Sequence, residues 1–212
     1  MFPSHDHEGP KNKNNVAEHT NEMNGNTFDV NDMRIVTKNC VKNDVILDNI
    51  SGNVRLIKEW VEPCAIRDEE IVICSAGPSL SADEVQKWKG TKIVAVKHAI
   101  QYLEENDITP WACVLLDPRP HVGDFVQYPN KDTIYFVASM VDPKVTEHLI
   151  KCGIRVIGFH ALVGAGEEER TPAEHWRVEG GSATSTRSIS LFKDLGFRKF
   201  HLYGYDACYF RA

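Results

Sequence analysis

From Ile71 onward, short runs of β-branched and aliphatic residues recur along the chain, each closed by small or polar residues. They alternate with stretches whose apolar positions return every three or four residues. A run of wholly apolar residues bounded by turn formers is the pattern of a strand buried on both faces, as in parallel sheets. Strands are predicted over 71–75, 92–96, 112–116, 133–138, 155–158 and 199–203. Helical periodicity predicts helices over 82–88, 98–106, 143–152 and 183–195, with Gly153 and Gly196 ending the last two. Strand–helix alternation with short connections requires right-handed crossovers. The expected fold class is α/β: a Rossmann-like, doubly wound, mostly parallel sheet with helices on both faces.

Upstream the pattern changes. Residues 1–31 are rich in Asn, His, Glu, Gly and Lys, with few large apolar side chains. Such a segment buries too little surface to offset ordering entropy, so a disordered polar tail is expected. His5, Asp6 and His7 sit in it without a third or fourth fixed metal ligand. Residues 32–66 read as a lead-in segment with one amphipathic helix over 54–61, capped by Asn53, stopped by Pro63 and packed on the edge of the domain. The Rossmann-like domain is expected over 67–212.

Composition narrows the function classes. A net charge of -6 argues against nonspecific binding to nucleic acid or anionic membrane. No apolar run approaches the roughly 18 residues of a membrane span, and no secretory signal is visible. The six cysteines are scattered without a CxxC pair, as expected for reduced thiols in a cytoplasmic protein.

In open α/β sheets, ligands sit beyond the carboxyl ends of the strands. That rule turns the strand ends into a list of candidates. Ser75, Ala76, Gly77, Pro78 and Ser79 follow the first strand; small residues there permit a sharp turn, and a helix start supplies N–H groups for a phosphate. Gly180, Gly181 and Ser182 precede a second helix start crowded with hydroxyls, with Ser182 as its expected cap, and form a second anion cradle. Asp117 ends the third strand and can orient a ribose, act as a base, hold Mg²⁺ in a magnesium-dependent reaction, or simply start a turn before Pro118. Asp206 ends the last strand and has the same readings. Lys97 and Arg119 can neutralise phosphate oxygens. His160, read as following a strand, can move a proton. The acidic stretch 164–179 reads as a mobile lid over the crevice or as a solvated loop.

The motifs resemble a known family. Val72-Ile73-Cys74-Ser75-Ala76-Gly77-Pro78-Ser79-Leu80 is similar to the GPSL loop of the MptE-like domain family. Gly180-Gly181-Ser182 with its helix, then the strand closing in Gly204-Tyr205-Asp206, resembles that family's second half. The family includes archaeal 6-hydroxymethylpterin diphosphokinases and the motility accessory factors that glycosylate flagellin, and its core resembles bacterial sialyltransferases that use CMP-sialic acid. The resemblance implies a nucleotide-binding transferase and, since members of that family continue beyond this strand end, a domain cut short at Ala212. Its partners would be a nucleotide or nucleotide-sugar donor and a small-molecule, glycan or protein acceptor. The diphosphokinases carry a TDLDG-like acidic cluster where this chain has Leu115-Leu116-Asp117-Pro118. With one carboxylate there, sugar transfer is expected ahead of magnesium-dependent pyrophosphoryl transfer or a non-catalytic nucleotide-binding module.

Overall fold

The computed structural model describes residues 39–206. The expected polar tail, His5, Asp6 and His7, Cys208 and the C-terminal residues lie outside them. In chain order the elements are α1 (Asn43–Leu56), β1 (Glu59–Trp60), β2 (Glu70–Cys74), α2 (Ala82–Gln86), β3 (Lys92–Val96), α3 (Ala99–Glu105) and β4 (Ala112–Leu115). A 3-10 turn at Pro120–Val126 leads to β5 (Ile134–Ala138), α4 (Pro143–Lys151) and β6 (Val156–Ala161). A shorter 3-10 turn at Glu167–Glu169 precedes β7 (Arg177–Val178), α5 (Thr184–Asp194) and β8 (Lys199–Tyr203).

The strands form one eight-stranded sheet in the order β1-β6-β5-β4-β3-β2-β8, with β7 also on β6. Every pairing is parallel. The central strands are buried at successive positions: all four residues of β4, and the last four of β2, β3 and β5. Alternate residues of a strand point to opposite faces, so this burial requires cover on both. The chain winds outward from β2 to β6, then returns through α5 to β8 on the far side of β2. The reversal of winding therefore falls between β2 and β8.

Aromatic packing holds the returning helix in place. Phe192 of α5 packs within about 6 Å of the rings of Trp111, Phe136 and Phe197. Phe192 and Phe197 are fully buried, and each such ring stabilises the fold by roughly 1.5–3 kcal/mol of transfer free energy. No helix among the described residues is long and apolar enough to cross a membrane.

The lead-in segment differs from its expectation. The helix is α1, which ends at Leu56, and residues 59–60 form a strand on β6 instead of a last helical turn. Its buried face is Ile46, Ile50 and Asn53. Asn53 is not a cap. It lies inside the helix, and its Nδ2 donates to the carbonyls of Ser139 and Val141 at 2.8 and 2.6 Å. Asn49 donates to the carbonyl of Met140 at 2.9 Å. These long-range bonds outweigh the capping preference of Asn. They also place α1 across the carboxyl end of β5, so it plugs that part of the rim and does not merely flank the sheet. Gly52 permits the approach: a Cβ there would stand 2.7 Å from Pro143 of α4.

Replacing Asn53 by Ala strips both buried carbonyls of a donor. The expected loss is about 2–3 kcal/mol in chemical denaturation. A loss below about 1 kcal/mol would mean that these bonds do not seat α1.

Candidate functional site

Because β2, β3, β4 and β8 are parallel neighbours, their carboxyl ends share one rim. At β3 the ladder runs one bond further, from Lys97 N–H to the Val114 carbonyl. The backbone then bends into the left-handed region at Lys97, with φ 52°. A non-glycine residue held there is strained, a cost tolerated mainly where surrounding structure imposes it. The bend aims Lys97 Nζ at Asp117 Oδ2, 2.8 Å away on the adjoining strand end.

Asp117 is buried, at 8% exposure, and fully engaged. Arg119 grips it with Nε on Oδ1 at 2.9 Å and Nη2 on Oδ2 at 2.6 Å, while its backbone N–H donates to Oδ1. That last bond is the turn-starting role of an Asp before Pro. Burial pushes the Asp117 carboxyl up, but the hydrogen bonds from Arg119 and Lys97 outweigh it and hold the group well below the usual range. The Arg119 side chain is about half exposed, whereas Lys97 is mostly covered. Two cations are thus aimed at one buried anion on the rim.

This set does not fit a magnesium ion. Mg²⁺ needs several oxygens in a near-octahedral shell. Both Asp117 oxygens already face cations, and no group of three His, Cys, Asp or Glu among the described residues could hold a metal.

The first glycine loop is closed by the chain's own groups. Gly77 N–H donates to the Gly204 carbonyl and Ser79 N–H to Asp206 Oδ2, both at 2.9 Å. A Cβ on Gly77 would stand 2.3 Å from that carboxylate, so glycine here admits the end of β8. Asp206 is exposed, and its bonds to Ser79 lower its carboxyl pKa. The helix after this loop is only five residues long, and Ser81 precedes it without a side-chain cap bond. Ser75, Ala76 and Pro78 complete the turn.

The second loop is built differently. Gly180, with φ 130°, Gly181 and Ser182 lead into α5, whose N-cap is Ala183 and not Ser182, without a side-chain cap bond. Among the described residues, its first-turn N–H groups therefore have neither an intrahelical nor a capping partner. Arg187, buried in the same helix, donates to the carbonyls of Gly181 at 3.0 Å and Leu162 at 2.7 Å, and also to that of Val178. Burial lowers its guanidinium pKa. Tyr205, next to the end of β8, donates its hydroxyl to the Ser185 carbonyl at 2.9 Å. The two glycine loops thus flank Gly204-Tyr205-Asp206 on one rim.

His160 lies elsewhere. Pairing with β7 extends β6 to Ala161, so His160 sits inside a strand and not beyond its end. Its Nδ1 meets Ser139 Oγ at 2.9 Å and its Nε2 meets His175 Nδ1 at 3.0 Å. The ring stacks on Trp60 at 4.3 Å. Both nitrogens are spent on internal partners. The stretch 164–179 carries the short 3-10 turn and β7, with exposed residues such as Glu168, Glu174 and Trp176 around a few buried ones. Glu167 is buried, and its carboxylate accepts the N–H groups of Val163, Gly164 and Ala165.

Nothing in the sequence marked Arg187, and Tyr205 was visible only as part of the Gly204-Tyr205-Asp206 strand end, because their roles depend on which carbonyls the fold brings near. Arg119 was visible as a charge two residues from Asp117; its two-pronged grip was not.

Burial, then the nearby charges of His175 and Arg177, pull the His160 imidazole down to about 4 from 6.5. The unfolded ring takes up its proton near 6.5, the folded ring only near 4. This contribution to stability is complete above pH 6.5 and is lost as pH falls through that window, by about 3 kcal/mol. Denaturation at pH 7.5 and 4.5 should show a smaller drop for His160→Asn than for the parent chain. An equal drop would refute a buried neutral imidazole.

A family model described as 6-hydroxymethylpterin diphosphokinase MptE-like matches residues 44–211. No curated protein matches the chain. Among solved structures, the MAf glycosyltransferase from Magnetospirillum magneticum AMB-1 is similar, with a TM-score of 0.65 and 16% identity over 83% of this chain and 30% of that one. This chain therefore spans under a third of that glycosyltransferase's length, and the likeness is one of fold. The family match runs from α1 past β8, well over half of the sequence, and the chain belongs to the MptE-like family.

Proposed function

We propose that this chain is a transferase domain that holds a nucleotide-activated sugar at the rim shared by β2, β3, β4 and β8. The observation that carries the reading is the pair of cations, Lys97 and Arg119, trained on one buried carboxylate at adjacent strand ends. Asp117 keeps both cations aimed. A donor phosphate would take over their free valences or displace the carboxylate, meeting groups that need little reorganisation.

The uncapped first turn of α5, with Ser182 before it, offers N–H groups and the positive helix end to a second oxygen. Gly180 and Gly181 give that loop its close approach. Ser75–Ser79 forms the adjoining wall. In the transfer, the bond from the anomeric carbon to the phosphate oxygen breaks as an acceptor hydroxyl oxygen bonds to that carbon. Lys97 and Arg119 stabilise the departing phosphate, and the hydroxyl proton passes to a carboxylate, for which Asp206 is exposed on the rim. His160, with both ring nitrogens engaged, positions β6 against β5 and the segment before β7.

A second reading, pyrophosphoryl transfer from ATP to a pterin alcohol, is favoured by the description of the matching family model. The cations covering Asp117 count against it, since that chemistry leans on bound magnesium.

Thermal shift against CMP, UDP, GDP and ATP, with and without Mg²⁺, separates the two. Stabilisation by CMP or UDP without metal is expected, reaching about 2.7 kcal/mol at a hundredfold excess over Kd. Arg119→Ala and Lys97→Asn, the latter chosen because Asn tolerates the left-handed backbone, should remove most of that shift. A shift that requires ATP with Mg²⁺ would replace this reading by the second, and no shift with any nucleotide would remove both.

A further inference from the structure

A groove of about 760 Å³ runs along the outer side of α5. One end is Gly180, which lies in the loop that opens the helix and packs against Ser190; the other is Lys193 and Asp194, about one helical turn further along. Its second wall is the segment entering β7.

Trp176 is the groove's chemical landmark. Its side chain is 44% exposed, yet Nε1 donates to Asp194 Oδ2 at 2.9 Å, which fixes the ring's attitude. A large aromatic held half in water within a concave site, beside a few polar groups, is the make-up of a small-molecule contact surface. Charges of both signs surround it: Glu174, Glu179 and Asp194 against Arg177 and Lys193. A polyanion would meet three carboxylates there. Arg177, partly exposed, adds a guanidinium to the wall, with its Nη2 given to Thr171 Oγ1 at 3.0 Å and its Nε buried out of a ligand's reach.

A neutral pyranose matches this set. One face of the ring presents C–H groups and lies flat on an indole. Its hydroxyls donate to carboxylates and accept from guanidinium or ammonium N–H groups. We propose that the groove binds a neutral glycosyl unit, with Trp176 as the platform and Glu174, Glu179 and Arg177 as hydroxyl partners, and that this unit belongs to the acceptor. Its role as acceptor rests on the transfer reading above; the groove's selectivity for neutral sugars does not. A sugar seated there extends toward Gly180 and hence toward the loop assigned to the donor.

The test is an array of immobilised neutral and sialylated oligosaccharides probed with the labelled full chain, run beside the nucleotide thermal shift. Retention on at least one neutral glycan is expected, and none on its sialylated counterpart. Trp176→Ala should weaken that retention at least tenfold, and the double variant Glu174→Gln with Glu179→Gln by a similar factor, with melting temperature and nucleotide shift unchanged. Absence of any neutral glycan binding, or equal binding by Trp176→Ala, would overturn the groove while leaving the donor reading to its own assay. Glycan binding without a nucleotide shift would keep the groove and remove its acceptor role.

Discussion

Parallel strand pairing is the constraint on which the rest of this molecule depends. A parallel neighbour can be reached only by crossing back over the sheet, so each strand brings a crossover and each carboxyl end opens on the same side. From that follow the helices that bury successive residues of β2, β3, β4 and β5, and the gathering of Lys97, Asp117 and the Gly204-Tyr205-Asp206 turn on one rim. The reversal of winding between β2 and β8 is the general location of ligand sites in such sheets. Here the two strands stay hydrogen-bonded past their paired residues, through Ser75 and Gly77, which closes the seam and shifts the open chemistry toward β3, β4 and the start of α5.

Electrostatics then sort the candidates along that rim. Asp117, Asp206 and Glu167 are all carboxylates whose pKa is lowered, but for different reasons. Glu167 is filled by backbone N–H groups and closes a loop on itself. Asp206 bonds Ser79 from a solvent-facing position. Asp117 alone holds two side-chain cations at hydrogen-bond distance. A buried carboxylate filled by backbone N–H groups, as Glu167 is, closes its own loop, whereas one that gathers side-chain cations at a strand end organises a surface another anion can use.

The family match and the glycosyltransferase likeness agree on the architecture and not on the chemistry. The family model is described by a diphosphokinase, the solved structure by a sugar transferase. What bears on the choice within this chain is its own donor set, in which a lone Asp is covered by Lys and Arg and offers no shell for magnesium.

The strands and helices of the sheet were legible because burial on both faces writes a continuous apolar run, and an amphipathic helix writes its period, whatever the rest of the chain does. Both glycine loops and Asp117 were legible for a related reason: strand ends lie on the ligand side once the sheet is parallel. The lead-in helix was not, since Asn53 and Gly52 mimic a boundary, and only the carbonyls of Ser139 and Val141 and the approach of Pro143 explain them inside a helix. Nor could local pattern tell that His160 would be paired into β6 by a two-residue strand, that Ser79 would be occupied by Asp206, or that Arg187 would tie three segments together. Local sequence determines which residues are strand, helix or turn. Which donor meets which acceptor across distant segments is decided only when the chain closes, because a hydrogen bond depends on a few tenths of an ångström that no spacing along the sequence records.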